Sequence, residues 1–277
     1  FQPNADGINQ PKDRSMKTPN QPAYARRSAL RHRLAALCLA LAPLPACAAE
    51  PPAAVAAEDD RAHRIDAAMT RLEEMGFKGV MLPGEPGHED YHHTDYDSFY
   101  EAVVEMEMPL SFHILTSKKD NLRDYRGPKI NSFQTIIRGN QDIIGTFIFG
   151  GVFERHPNLK LVCVEADAGW APHFMYRMDH AYKRHRYWLK CDEMAKLPSE
   201  YFRENVYMTF QDDWTAFQLR DHMNVERLMW ANDFPHSDAT WPHSQEMLAE
   251  HTADMTQWEK DHILHENVSE LYGLSVQ

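Results

Sequence analysis

An α/β fold built on a parallel sheet with helical crossovers is what this 277-residue sequence predicts. Short apolar runs recur at 79–83, 110–115, 159–166, 206–211 and 228–233, and the stretches between several of them carry apolar residues at helical spacing. No hairpin signal joins any two of the runs, so consecutive strands must be linked by crossovers, which means parallel pairing. Polar residues gather where the runs end, as in Glu165-Ala166-Asp167, Gln211-Asp212 and Asn232-Asp233. In α/β barrels the rim at the carboxyl ends of the strands carries the chemistry, so Asp233 is the first candidate for a metal ligand or general base.

The elements follow in order. Residues 1–20 are polar and without hydrophobic period, which reads as disorder or an extension. From Met16 the pattern becomes signal-like: Arg26, Arg27, Arg31 and Arg33 precede an apolar run over 34–44 and the small residues Ala46-Cys47-Ala48-Ala49. The alternative is an Ala/Leu-rich helix on a disordered terminus. A leader at 16–49 implies an exported or periplasmic protein, and its absence a cytoplasmic one. The boundary is placed at 58/59, with residues 51–57 as a linker. Apolar positions Ile65, Ala68, Met69, Leu72 and Met75 then predict a helix ended by Gly76. After the first strand comes a loop over 84–96 rich in histidine and acid, whose His88, His92 and His93 are candidate substrate contacts. A helix over 97–106 leads to a strand over 109–116 that contains His113. A polar loop over 117–130 precedes a long helix over 131–155, which Gly150-Gly151 can bend. The run at 157–167 ends in Glu165 and Asp167, followed by Trp170 and another helix. The last run hands Asn232 and Asp233 to the rim, with Pro235, His236 and Asp238 just beyond.

Composition narrows the partners. A formal net charge of −12 repels nucleic acid and anionic membrane surfaces, which leaves a small molecule as the expected partner. Sixteen histidines favour metal or acid–base chemistry without placing it. Cys38, Cys47, Cys163 and Cys191 lack metal or disulfide spacing, and Cys163 reads as a small core residue.

The segment Gly150-Gly151-Val152-Phe153-Glu154-Arg155-His156-Pro157-Asn158-Leu159-Lys160-Leu161-Val162 resembles one in the amidohydrolase-related family. Agreement extends in order and spacing to Gly79-Val80-Met81-Leu82-Pro83, Leu110-Ser111-Phe112-His113, Trp230-Ala231-Asn232-Asp233-Phe234-Pro235 and the block from Glu266 to Leu274. The resemblance implies a distorted TIM-barrel-like (β/α) fold holding one divalent metal ion, Zn or Mn. His113 and Asp233 match the family's metal ligands, and Asp233 also its water-activating group. Where many members place a catalytic histidine this chain has Glu165, which becomes the acid–base candidate, with Asp167 in reserve. Asp167, Trp170 and His236 join the loop histidines as candidate substrate contacts.

The sequence departs from the family in having no His-x-His or Glu-x-His on a strand-like segment ahead of Gly79. The five runs correspond to the last five of the barrel's eight strands, so an incomplete barrel is expected, spanning 59–277 with 79–83 as an edge. Two functions remain open. One is a metal-dependent enzyme that hydrolyses a C–N or C–O bond, or removes CO₂ from a small, conceivably aromatic, carboxylic acid. The other is a truncated, inactive member or binding module with an incomplete metal site. Association into a homo-oligomer is a further expectation, since an open sheet edge invites pairing.

Overall fold

The computed structural model describes residues 53–114 and 127–275. The expected disordered stretch and signal-like leader, and most of the loop over 117–130, lie outside the described residues. The first helix, α1 (Ala53–Glu74), begins in the stretch read as a linker. Ala53, Ala54, Ala56 and Ala57 explain this, because alanine has the highest intrinsic helix propensity.

Five strands follow: β1 (Val80–Met81), β2 (Leu110–His113), β3 (Leu161–Val164), β4 (Val206–Phe210) and β5 (Leu228–Trp230). They form one sheet in sequence order, every pair parallel, which bears out the α/β expectation. The strands are shorter than the apolar runs that predict them. Among the described residues β1 is an edge that pairs only with β2, and Met81 on it is 56% exposed.

Between β1 and β2 lies α2 (Asp97–Glu105). The single helix expected before β3 is two, α3 (Phe133–Phe149) and α4 (Val152–Arg155), because Gly151 takes a left-handed φ of 71° between them. After β3 come α5 (Ala171–Leu189) and α6 (Pro198–Asn205), and α7 (Trp214–Gln218) separates β4 from β5. The chain ends with α8 (Ser244–His251), α9 (Gln257–Asp261), one π-helical turn over 262–266 and α10 (Asn267–Leu271). α6, α7 and the helices after residue 243 are short, and their apolar stripes are too brief to stand out in the sequence. No helix among the described residues is long and apolar enough to cross a membrane.

The two-residue period of the strands divides their side chains between two apolar layers. Leu110, Phe112, Leu161, Cys163, Val206, Met208, Phe210 and Leu228 pack into the main core with Tyr100, Phe147, Phe153, Met175 and Phe202 from the helices. On the opposite face Val162, Tyr207 and Met229 meet Leu271, with Val268 and Tyr272 beside them. Each side chain so buried contributes on the order of 2 kcal/mol. The Asn267 amide donates to the carbonyls of Val225 and Leu228, both at 2.7 Å, and ties α10 to the start of β5.

Gly150 ends α3 where the loop after β1 crosses it. A Cβ at Gly150 would lie 2.2 Å from His92 Cβ and 2.5 Å from the Thr146 carbonyl oxygen. Gly145, inside the same helix, meets only Phe149, at 4.0 Å. Gly150→Ala is therefore expected to destabilise the fold by about 2 kcal/mol or more. Gly145→Ala is expected to be neutral or to stabilise it by up to about 1 kcal/mol, through helix propensity. Urea denaturation measures both, and equal effects at the two sites would contradict the crossing.

Candidate metal centre

Parallel register brings the carboxyl ends of the strands to one edge. His113, the last residue of β2, lies opposite Val164, the last of β3, and Phe210 lies opposite Trp230 at the ends of β4 and β5. Glu165, Gln211 and Asp233 follow within three residues of those ends. Glu165, Asp233 and His236 each offer one ligand atom, and these atoms all lie within 4.8 Å of one another. His113 Nε2 is 2.5 Å from Glu165 Oε2, and His236 Nδ1 is 3.0 Å from Asp233 Oδ2. The side chains of Glu165, Asp233 and His113 are 18%, 24% and 28% exposed, so the edge shields them partly while His236, at 57%, faces solvent.

The backbone around these groups is held tightly. Glu165 and Asp233 have left-handed φ values of 59° and 57°. For residues other than glycine this costs on the order of 1 kcal/mol each, and it persists where surrounding contacts enforce it. The Glu165 N–H donates to Thr209 Oγ1 at 2.8 Å, and the Asp233 carbonyl accepts from the His236 N–H at 2.8 Å. Buried Asn140 on α3 donates to the Phe112 carbonyl at 3.3 Å and the Val164 carbonyl at 3.5 Å, bridging the ends of β2 and β3. It also donates to Cys163 Sγ, whose thiol burial pushes up to about 12, in keeping with its reading as a core residue.

Asp213 organises the loop after β3. Its Oδ2 accepts the N–H groups of Ala168 at 2.8 Å and Gly169 at 2.7 Å, and its Oδ1 accepts that of Ala216 at 3.0 Å. Gly169 is required by this approach, since a Cβ there would sit 2.6 Å from Thr215 Cβ. Gln211 donates to Asp233 Oδ2 at 3.4 Å while its carbonyl accepts from Trp230 Nε1 at 3.0 Å. Thr209, Gln211, Asp213 and Asn140 were not among the sequence candidates. The Gln211-Asp212-Asp213 run after β4 was the available signal for two of them.

The other candidates fall in different places. Asp167 belongs to the acidic edge, whereas Trp170 donates from Nε1 to the Ala166 carbonyl at 2.7 Å and packs edge-on against Phe174 and Phe202. That contact gives Trp170 a part in bracing the loop and packing the core. The loop histidines do not join the cluster. His88 pairs with Asp95 at 3.6 Å, and His93 Nδ1 accepts the Asp95 N–H at 3.2 Å. His92 packs on Gly150, and its carbonyl accepts from Arg155 at 3.0 Å. The three histidines expected at the substrate thus make local contacts outside that cluster.

Negative charge accumulates along the edge. Burial pushes the Asp167 carboxyl up from 3.8 to about 6, and Asp213, Asp238 and Asp212 add to the shift while a backbone hydrogen bond from Gln211 opposes it. The donor set suits a divalent cation: carboxylate oxygens and imidazole nitrogens are ligands for Zn²⁺ and Mn²⁺, and a surplus of nearby carboxylates favours positive charge.

A comparison with protein families matches residues 18–274 to the amidohydrolase family. Comparison with curated proteins finds no match. Among solved structures, 5-carboxyvanillate decarboxylase from Sphingomonas paucimobilis is similar with a TM-score of 0.64 and 20% identity, over 77% of this chain and 63% of that one. A 5-carboxyvanillate decarboxylase from Novosphingobium aromaticivorans, with bound manganese and 3-methoxy-4-hydroxy-5-nitrobenzoic acid, gives 0.62 and 18% over 80% of this chain and 71% of that one. A dihydroxybenzoic acid decarboxylase from a Polaromonas species, with bound manganese and 2-nitroresorcinol, gives 0.56 and 20% over 77% and 66%. The chain spans 63% of the length of the Sphingomonas enzyme, and at these identities the likeness bears on the fold.

The Asp167 shift has a definite sign. A carboxyl whose folded pKa is raised contributes stability that is complete below about pH 4 and is lost as pH rises through about 6. Asp167→Asn should remove that loss and keep an acceptor for the Gln211 N–H. With EDTA present, the variant should match the parent at pH 4 and exceed it by about 1 to 2 kcal/mol at pH 8, allowing for solvent screening. Urea midpoints across that range measure it, and a pH-independent difference would contradict the assignment.

Proposed function

The chain belongs to the amidohydrolase family, and on that premise we propose that it is a metal-dependent enzyme acting on a small carboxylic acid at the carboxyl edge of its sheet. The reaction is hydrolysis of a C–N or C–O bond, or non-oxidative loss of CO₂ from an aromatic acid. The observation that carries the reading is the convergence of Glu165, Asp233 and His236 on one point at the ends of β3 and β5. The similarity in fold to carboxy-lyases with bound manganese and aromatic ligands supports the decarboxylating form and the choice of metal.

Asp233 is the residue that would hold the metal, with its carboxylate steadied by Gln211 and His236. A divalent cation there would supply Lewis-acid polarisation of a substrate carboxylate, or acidify a water for hydrolysis. The chain's own groups do the rest. His113 and Glu165, 2.5 Å apart, form an acid–base couple beside the cluster that can give or take a proton at a substrate atom. Left-handed backbone at Glu165 and Asp233 fixes both carboxylates before substrate arrives, so little reorganisation is needed on binding.

Purified protein should carry close to one equivalent of Zn or Mn. Saturating either metal after EDTA treatment should raise the melting temperature, since a ligand at about 100 times its Kd stabilises by roughly 2.7 kcal/mol. Asp233→Ala should abolish both effects. A parent protein that retains no metal and whose melting ignores added metal would overturn the enzyme reading in favour of a binding module.

A further inference from the structure

We infer that the exposed face of α5, and above all its last turn, is a docking surface for an anionic phospholipid bilayer. The inference is independent of the metal-dependent reading and concerns a different part of the molecule. α5 begins beside the carboxyl edge, where Trp170 donates to the Ala166 carbonyl. Its 19 residues run roughly 28 Å back toward the opposite edge, so the last turn lies well away from the rim.

The helix has two unlike faces. Ala171, Met175, Met178 and Tyr182 are buried, and Asp179, the one acid in the helix, accepts the Ser199 N–H and hydroxyl of α6, both at 2.9 Å. Tyr176, Arg177, Lys183, Arg184, Tyr187 and Trp188 return to the other face at helical spacing and are exposed. Tyr187, Trp188 and Leu189 are 77%, 69% and 58% exposed in succession, and exposed Lys190 follows them. Neighbours on α5 itself hold the two rings: Trp188 Nε1 donates to His185 Nδ1 at 3.1 Å, and the Arg186 guanidinium lies 4.5 Å from the centre of the Tyr187 ring. Leu189 also opens onto a groove of about 450 Å³ that it shares with Phe149, Tyr182 and Cys191.

Charge singles out this face. The whole chain has 29 basic and 41 acidic residues, yet residues 171–190 hold five basic residues and one acid, and that acid is turned to α6. Arg186 is taken up by Tyr182, Tyr187 and Glu193, which leaves Arg177, Lys183, Arg184 and Lys190 facing solvent, with Asp192 just past the helix as the nearest further acid in sequence. Salt screens charge beyond about 8 Å at physiological ionic strength, so an approaching surface meets these cations before it meets the net charge of −12 carried by the whole chain. The apolar residues select among anionic partners. Trp and Tyr sit by preference at the headgroup level of a bilayer, and basic residues beside them reach the phosphates. Leu189 and the groove with Phe149 suit an acyl chain. A nucleic acid offers nothing aliphatic to bury, and the Arg186 guanidinium already covers one face of Tyr187 on which a base would stack. An isologous contact with a second copy would set like charges against each other.

The test is sedimentation of the full chain with vesicles of equal parts phosphatidylglycerol and phosphatidylcholine, and with vesicles of phosphatidylcholine alone, with folding of each variant checked by circular dichroism. The parent should bind the anionic vesicles, bind the neutral ones far more weakly, and be released by added salt. Lys183→Gln combined with Arg184→Gln should weaken binding by about 5-fold for each cation removed, whereas Lys78→Gln, ahead of β1, should leave it unchanged. Trp188→Ala should weaken it by about 10-fold. Trp188→Phe should keep most of the affinity and lose the blue shift in tryptophan emission that the parent shows on binding. Parental binding in the charge variant and in Trp188→Ala would overturn the proposal, as would equal binding to the two kinds of vesicle. So would a parent that light scattering shows to be a dimer and that Trp188→Ala dissociates, or one that holds single-stranded polynucleotide through Lys183 and Arg184 without sedimenting with vesicles.

Discussion

Parallel pairing is the constraint on which the rest of the structure depends. Each strand in such a sheet must end at the same edge as its neighbours, because the crossover helix returns the chain to the opposite edge before the next strand begins. Residues far apart in sequence, at 113, 165, 211 and 233, are thereby delivered to one line. The fold does not have to fashion a site from loops. It needs only polar side chains at the points where apolar runs stop, and this chain has them.

That delivery creates an electrostatic problem. Glu165 and Asp233 place oxygens within 4.8 Å of each other, and Asp213, Asp238 and Asp212 add to the burial that raises the Asp167 carboxyl. Two carboxylates at such a spacing repel by on the order of 3 kcal/mol even with substantial screening. The protein spends hydrogen bonds on part of this: Asp213 accepts three backbone N–H groups, and Glu165 has the His113 imidazole. Asp167 remains, and burial together with the neighbouring Asp213, Asp238 and Asp212 pushes its carboxyl up despite the backbone hydrogen bond from Gln211. A divalent cation bound there would offset the repulsion between Glu165 and Asp233, so on the proposed reading it would have a structural as well as a chemical place.

The parallel sheet and the position of Glu165 and Asp233 at its carboxyl edge were legible in the sequence because they rest on local signals. A run of apolar residues ending in Asn232-Asp233 announces both a buried strand and a rim carboxylate, and Glu165 stands out the same way. What stayed hidden depends on three-dimensional proximity. His113 was readable as a polar residue within an apolar strand, but its 2.5 Å approach to Glu165 depends on the register between β2 and β3 and on a left-handed turn at residue 165. His88, His92 and His93 attract notice by number, yet composition does not encode direction: His88 and His93 turn to Asp95, and the His92 carbonyl accepts from Arg155. The linker expected over 51–57 failed for a simpler reason, since its alanines favour helix more than its position favours a break.

The most direct measurement of the central claim is anomalous diffraction from crystals of the full chain grown with Mn²⁺, collected at the manganese edge. One anomalous peak at the ends of β3 and β5, in bonding contact with Asp233, is the expected result. No peak there in crystals soaked to saturation, or a peak bound elsewhere on the chain, would contradict it.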